Sequence, residues 1–169
     1  MATIKAFKNE ILRIAEANLG EKAWTYFQSR QAKRNPNVKF GTFELKNNLF
    51  VYEILLASLI DIGTPNIISD ERLKIKSEGK TERPPTAQQW NEGEVANFEE
   101  VDREKAEGGD VCTDDSYCGI VDCHNQTISA AKDKVVSNDW GWRNGQNNAK
   151  FFSLNKIPDI LYFFCLRGN

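Results

Sequence analysis

Few side chains in this sequence are equipped for covalent or metal chemistry. There are four cysteines, Cys112, Cys118, Cys123 and Cys165, and one histidine, His124. No two cysteines form a CxxC pair. The set Cys112, Cys118, Cys123 and His124 has the right donor atoms for zinc, but its spacing fits no common zinc module. Asp114–Asp115 is likewise a poor start for a calcium loop. No metal or cofactor is expected, and the thiols read as small buried hydrophobes. A Cys112–Cys118 bridge would need an oxidising compartment. Cys123 and His124 are neighbours, and successive strand residues point to opposite faces, so a regular strand keeps them apart. Cys118 and His124 share a face but lie roughly 20 Å apart at about 3.3 Å per residue, as do Tyr117 and Cys123.

A second set of residues suits binding. Trp24, Tyr26, Trp90, Trp140 and Trp142 bring large flat surfaces, with core anchoring as their ordinary use. Trp140 and Trp142 flank Gly141 and precede Arg143, whose guanidinium offers a two-pronged grip on a carboxylate. That group could line a groove for a sugar or a peptide carboxylate. The acidic stretch from Glu92 to Glu107 reads as a solvated face.

These residues must be positioned by a chain of 169 residues, 40% apolar and 27% charged, enough for one core. A single domain over 1–169 is expected. The net charge of −2 gives no basic field for nucleic acid. The apolar run Leu49–Ile62 is broken by Glu53 and Asp61 and is too short for a bilayer. The N-terminus has helical spacing and no cleavage pattern. A cytoplasmic location is therefore expected, unless a leader was removed or export uses a non-standard route.

Apolar spacing predicts an amphipathic helix over 5–19, with Phe7, Ile11, Ile14, Ala15 and Leu19 on one face and Gly20 as its stop. A second helix is predicted over 48–62, ended by Gly63 and Pro65 and apolar nearly all round, hence central and buried. Asn47 and Asn48 are good N-cap residues for it. The segment from Ala23 to Glu44 reads as irregular. A connecting segment, 66–108, follows the helical half (1–65), with a short helix at 86–91 or 97–106. The strand half (109–169) holds the short runs DVCTD, YCGIVDC, QTISAA and KVVSN between turn residues, then an apolar last strand at 159–166. Helices first and an antiparallel sheet after is α+β order.

Several segments, in order, are similar to a known family. KNNLFVYEIL resembles a nucleophile helix, RPPTAQQW a linker of the pattern R-P-P-T-A-x-x-W, and GGDVCTDD a strand start. SYCGIV resembles a strand written S-G-H-V-G-I-V, and TISAA and NDWGWRNGQ resemble the segments that follow it. Together they resemble the NlpC-type, papain-like cell-wall cysteine peptidases and amidases. The resemblance implies a papain-like fold, with a thiol at a helix N-terminus, where the dipole lowers its pKa, and a histidine on a neighbouring strand. Here the nucleophile position holds Asn47 and the base position Tyr117. The third polar position falls at Thr127 or Ser129. No cysteine precedes Cys112, so no register gives this helix a thiol. An amide is no nucleophile, and a phenol is a poor base near neutral pH.

The expectation is therefore a catalytically inactive member that binds a peptidoglycan peptide, a glycan or a protein partner, with no nucleic acid or membrane. Trp24, Tyr26, Asn47, Tyr117, Trp140, Trp142 and Arg143 are its candidate ligand-binding residues. The alternatives are an active hydrolase using Ser116, Thr127 or Cys118, and a structural or effector protein that uses the fold as a platform.

Overall fold

The first helix, α1 (Ile4–Ala17), starts where Thr3 takes an extended conformation and its hydroxyl accepts from the Ala6 N–H at 3.1 Å. Phe7, Ile11, Ile14 and Ala15 form its buried stripe. The helix stops two residues earlier than its spacing predicts. Asn18 ends it, its side-chain amide donating to the Ile14 carbonyl at 2.8 Å. Leu19, expected on the buried face, is therefore 44% exposed. Gly20 follows at φ +83°, and its N–H donates to Val135 O, tying the helix end to a strand.

These findings come from a computed structural model that describes residues 3–32, 35–61, 76, 83–143 and 148–156. Among them, the segment read as irregular contains a hairpin, β1 (Arg30–Ala32) and β2 (Asn35–Phe40). The central helix, α2 (Asn47–Asp61), matches its predicted span to within a residue. Residues 49–56 of it are all buried. A short helix, α3 (Ala87–Asn91), forms at the first of the two predicted places. Its capping box is reciprocal: Thr86 Oγ1 accepts from Gln89 N–H, and Gln89 Oε1 accepts from Thr86 N–H. The second place is not an α-helix. It holds β3 (Phe98–Val101) and a single 3-10 turn, Arg103–Lys105.

The remaining strands are β4 (Val111–Thr113), β5 (Cys118–Val121), β6 (Thr127–Ala130), β7 (Val135–Asn138) and β8 (Lys150–Leu154). They join β3 in a six-stranded antiparallel sheet of order β3-β8-β4-β5-β6-β7. The sheet thus recruits β3 from the segment expected only to connect the two halves. The predicted last strand, 159–166, and the predicted stop at Gly63 and Pro65 lie outside the described residues. The fold is α+β, three α-helices and this sheet among the described residues. None of those helices is long and apolar enough to cross a membrane.

Both faces of the sheet are covered, by different things. α1 and α2 pack on one face, against Val111, Cys118, Ile120, Ile128 and Phe152. Cys112, Val121 and Phe151 point the other way, into a smaller apolar cluster with Trp140 and Trp142. The loop carrying those tryptophans lies tight on the sheet. Gly141 sits at φ +89°, and a Cβ there would come within 2.5 Å of Cys112 Sγ. Another close approach is at Gly109, φ +93°, where a Cβ would meet the Lys8 carbonyl oxygen at 2.2 Å. Only glycine lets α1 come this close to the turn before β4.

Candidate functional site

The N-terminus of α2 opens onto a shallow pocket of about 310 Å³. Asn47 and Asn48 from α2, Thr86 and Gln88 at the start of α3, and Asp115 and Ser116 from the β4–β5 turn supply its polar wall. Each wall is fixed locally. Asn48 Nδ2 donates to Pro85 O at 3.3 Å, joining α2 to the residues before α3. Asp114 Oδ1 accepts from the N–H groups of Ser116 and Tyr117, at 2.7 and 2.8 Å, which locks the turn. Asp115 is held by Asn91 Nδ2 at 2.7 Å.

Asn47 is the residue at the resemblance's nucleophile position, and it lies in this wall. It is 3% exposed. Its expected use as a cap is not what the geometry gives. The first intrahelical bond of α2 runs from Phe50 N–H to Lys46 O, so Lys46 stands at the cap position and Asn47 in the first turn. Asn47 Oδ1 instead accepts from the Cys118 thiol at 3.5 Å.

Tyr117, expected from the resemblance at the base position, precedes Cys118 and points to the other side of the sheet. Its hydroxyl and Ser129 Oγ are 2.7 Å apart, and its ring stacks at a tilt on Trp140, centroids 4.8 Å apart. Of the two third-position candidates, Ser129 is the one paired with Tyr117. Thr127 is fully buried and its hydroxyl donates to Trp140 O at 2.7 Å. The Tyr117–Ser129 pair is therefore assembled, but it stands on the sheet face turned away from Asn47. Burial raises the Tyr117 pKa, against the pull of the Ser129 hydrogen bond, so the phenol is further from acting as a base than a free one.

The other ligand candidates divide. Trp24 is a core residue, not a cleft wall: it is 6% exposed, packs edge-on against Phe50 at 5.1 Å and donates from Nε1 to Glu53 at 2.9 Å. Tyr26 belongs to an exposed aromatic group with Phe27 and Phe43, each centroid 5.7 Å from its own. Trp142 packs on Phe151 at 4.8 Å. Arg143 is exposed and its Nε is bonded to Asp139 at 2.5 Å, a partner four residues back in the chain. Trp140 and Trp142 thus cover the second sheet face, and neither they nor Arg143 line the α2 pocket.

The thiols are poor nucleophiles where they sit. Cys118 is completely buried and desolvation drives its pKa well above the ordinary thiol value. Burial likewise pushes Cys112 up to about 12. Both are free, and they face opposite sides of the sheet, which rules out the Cys112–Cys118 bridge. A thiol-labelling time course on the native protein should modify Cys123 at least about 100-fold faster than Cys112 or Cys118. Comparable rates, read by peptide mass spectrometry, would contradict this burial.

Two features escape a reading of the sequence. Lys46, next to Asn47, is 1% exposed, and its ammonium donates to the carbonyls of Glu44 at 2.8 Å and Thr25 at 3.2 Å. Desolvation lowers its pKa. No sequence pattern flags it, because one acceptor lies in a distant loop. The second is Cys123 beside His124, expected to diverge on a strand. β5 ends at Val121, so both fall in the β5–β6 turn, where Cys123 Sγ and His124 Nδ1 are 3.1 Å apart.

No protein-family model, no curated protein and no solved structure matches this chain.

Proposed function

We propose that this chain is a non-hydrolytic binding domain on an NlpC-type, papain-like framework, which takes a peptidoglycan fragment at the pocket over the α2 N-terminus. The observation that carries the reading is the chemistry of that pocket. Its polar wall is made of amides, hydroxyls and one carboxylate, and among those amides is Asn47, which the resemblance sets at the nucleophile position. Such groups accept and donate hydrogen bonds to a peptide or sugar but supply neither thiolate nor imidazole. The nearest thiol, Cys118, is sealed behind Asn47 and protonated. The ordered run of similar segments and the helix-then-antiparallel-sheet order support the framework. Binding can outlast chemistry in such a cleft because the two draw on partly different residues.

Ser116 is the residue with which to test the site. It is exposed, lines the pocket, and makes its bonds to Asp114 within its own turn. Ser116→Trp should fill the pocket without disturbing the core. The expected result is at least a tenfold rise in the Kd for soluble muropeptides, about 1.4 kcal/mol, with Tm unchanged. Undiminished affinity would place the ligand elsewhere.

One observation favours a second reading. Ser116 Oγ donates to Asp114 Oδ1 at 3.1 Å, the start of a serine–carboxylate pair. Covalent capture of Ser116 by a serine-directed fluorophosphonate probe would support a hydrolase, and an unlabelled Ser116 would count against it.

A further inference from the structure

We propose that the β5–β6 turn is a binding site for a borderline-soft divalent cation of the zinc type, held by Asp122, Cys123 and His124. The site lies apart from the α2 pocket and does not depend on the reading given to it.

The donor atoms are of three kinds, and all lie within 4.8 Å of one another. Cys123 Sγ is 3.1 Å from His124 Nδ1, and Asp122 Oδ1 is 3.7 Å from the same nitrogen. Zinc bonds are about 2.3 Å to sulfur and about 2.0–2.2 Å to nitrogen and oxygen, so tetrahedral neighbours stand roughly 3.3–3.7 Å apart. Both measured edges need only a few tenths of an ångström to match. The combination of thiolate, imidazole and carboxylate selects zinc over the hard cations magnesium and calcium.

The backbone prepares the cluster. Asp122 N–H donates to Gln126 O at 2.8 Å, and Asn125 takes φ +55°, which closes a tight turn. Cys123 and His124 are thereby released from strand alternation and brought to one side. The Asp122 side chain is only 10% exposed, and Ser137 Oγ donates to its Oδ2 at 3.0 Å. This is the outer support that a metal-bound carboxylate usually has. Asp122 Oδ1 also accepts from His124 N–H at 2.6 Å, which leaves it a second lone pair for a cation. Cys123 and His124 are exposed, so the cation can enter from solvent. On binding, the Cys123 thiol gives its proton to solvent as the metal–sulfur bond forms, and the imidazole binds in its neutral form. Three protein donors leave the fourth tetrahedral position to water or to a ligand brought by another molecule.

Cobalt(II) is the probe, because a cobalt–thiolate bond absorbs in the near ultraviolet and zinc does not. Titration of the full chain should give a charge-transfer band that saturates at one equivalent and is bleached by added zinc. Cys123→Ser should abolish the band. His124→Ala should weaken the affinity at least tenfold, and Ser137→Ala should weaken it about 10-fold or more. Absence of a thiolate band in the wild type would overturn the proposal. So would a band that persists in Cys123→Ser, or an affinity that His124→Ala leaves unchanged. Calorimetry with zinc should rank the wild type and the three variants in the same order, with no need of a spectral signal.

Discussion

Replacing Asp110 with alanine should cost about 3–5 kcal/mol of stability, the loss typical of removing one partner from a buried ion pair. Asp110 is fully buried, and Lys8 of α1 is 4% exposed. The Lys8 ammonium stands 2.7 Å from Asp110 Oδ1, donates to Ser153 Oγ at 2.9 Å, and has Glu107 at 3.5 Å. Asp110 Oδ2 accepts from the Glu107 N–H at 2.9 Å. Without the carboxylate, a buried ammonium keeps one hydroxyl and a half-exposed glutamate. It cannot readily reach water, because α1 sits on Gly109 with no space between them. The expected urea curve has a lower midpoint with an unchanged slope. The paired variant Lys8→Met with Asp110→Leu should recover most of the loss, since apolar replacement of a whole buried pair is often neutral. A loss under about 1 kcal/mol for Asp110→Ala would mean that the ammonium escapes to solvent. Glu107 adds a small acid-sensitive part. The hydrogen bond from Lys5, and then the Lys8 charge, hold its carboxyl below the usual range against the opposing effect of burial. That contribution is present above the unfolded pKa and is lost as pH falls through the folded one.

Glu53→Ala should be nearly as damaging, again about 3–5 kcal/mol, or a Tm lower by roughly 6–20 °C. Glu53 interrupts an otherwise apolar helix and is 2% exposed. Its carboxylate accepts from Trp24 Nε1 at 2.9 Å and from the Arg30 guanidinium at 2.7 Å. That guanidinium also lies over the Trp24 ring, 4.7 Å from its centroid. One carboxylate therefore fixes the loop bearing Trp24 and the β1 end of the hairpin onto α2. Alanine would leave a partly buried cation and an indole N–H without an acceptor. Glu53→Gln keeps an oxygen for both donors and loses only the charge, so a smaller loss of about 1–3 kcal/mol is expected. Equal Tm values for Glu53→Ala and the wild type in a thermal melt would show that the hairpin is not anchored here.

Local chemistry makes much of this fold legible. The Phe7–Ile11–Ile14 stripe marks α1, and the Thr86–Gln89 spacing is a capping box in plain sequence. The meander β4 to β7 is readable from its turn residues alone, because β4, β5 and β6 are buried on both faces and show no polar alternation. The same burial hides β8. Phe151 and Phe152 point to different cores, so KFFSL carries no period to recognise. Periodicity puts Leu19 on the buried face because it says nothing of where a helix stops, and here Asn18 stops it. At the site, Asn47 is legible as the residue opening the central helix. Its partner is not: Cys118 lies 71 residues away. Lys8 reads as a surface charge because Asp110 and Ser153 are equally remote, and Lys46 does so because one of its two acceptors, Thr25 O, lies in a separate loop. Strand alternation sets Cys123 and His124 apart only if it is carried past Val121, where the strand ends.

Incubation of the protein with purified cell-wall sacculi, followed by centrifugation and assay of the soluble fraction for new amine and carboxyl ends, tests the central claim most directly. The account predicts that the protein sediments with the sacculi, that Ser116→Trp stays largely in solution, and that no new ends are released. Release of new ends by the wild type would contradict it, as would a wild-type protein that remains wholly in the supernatant.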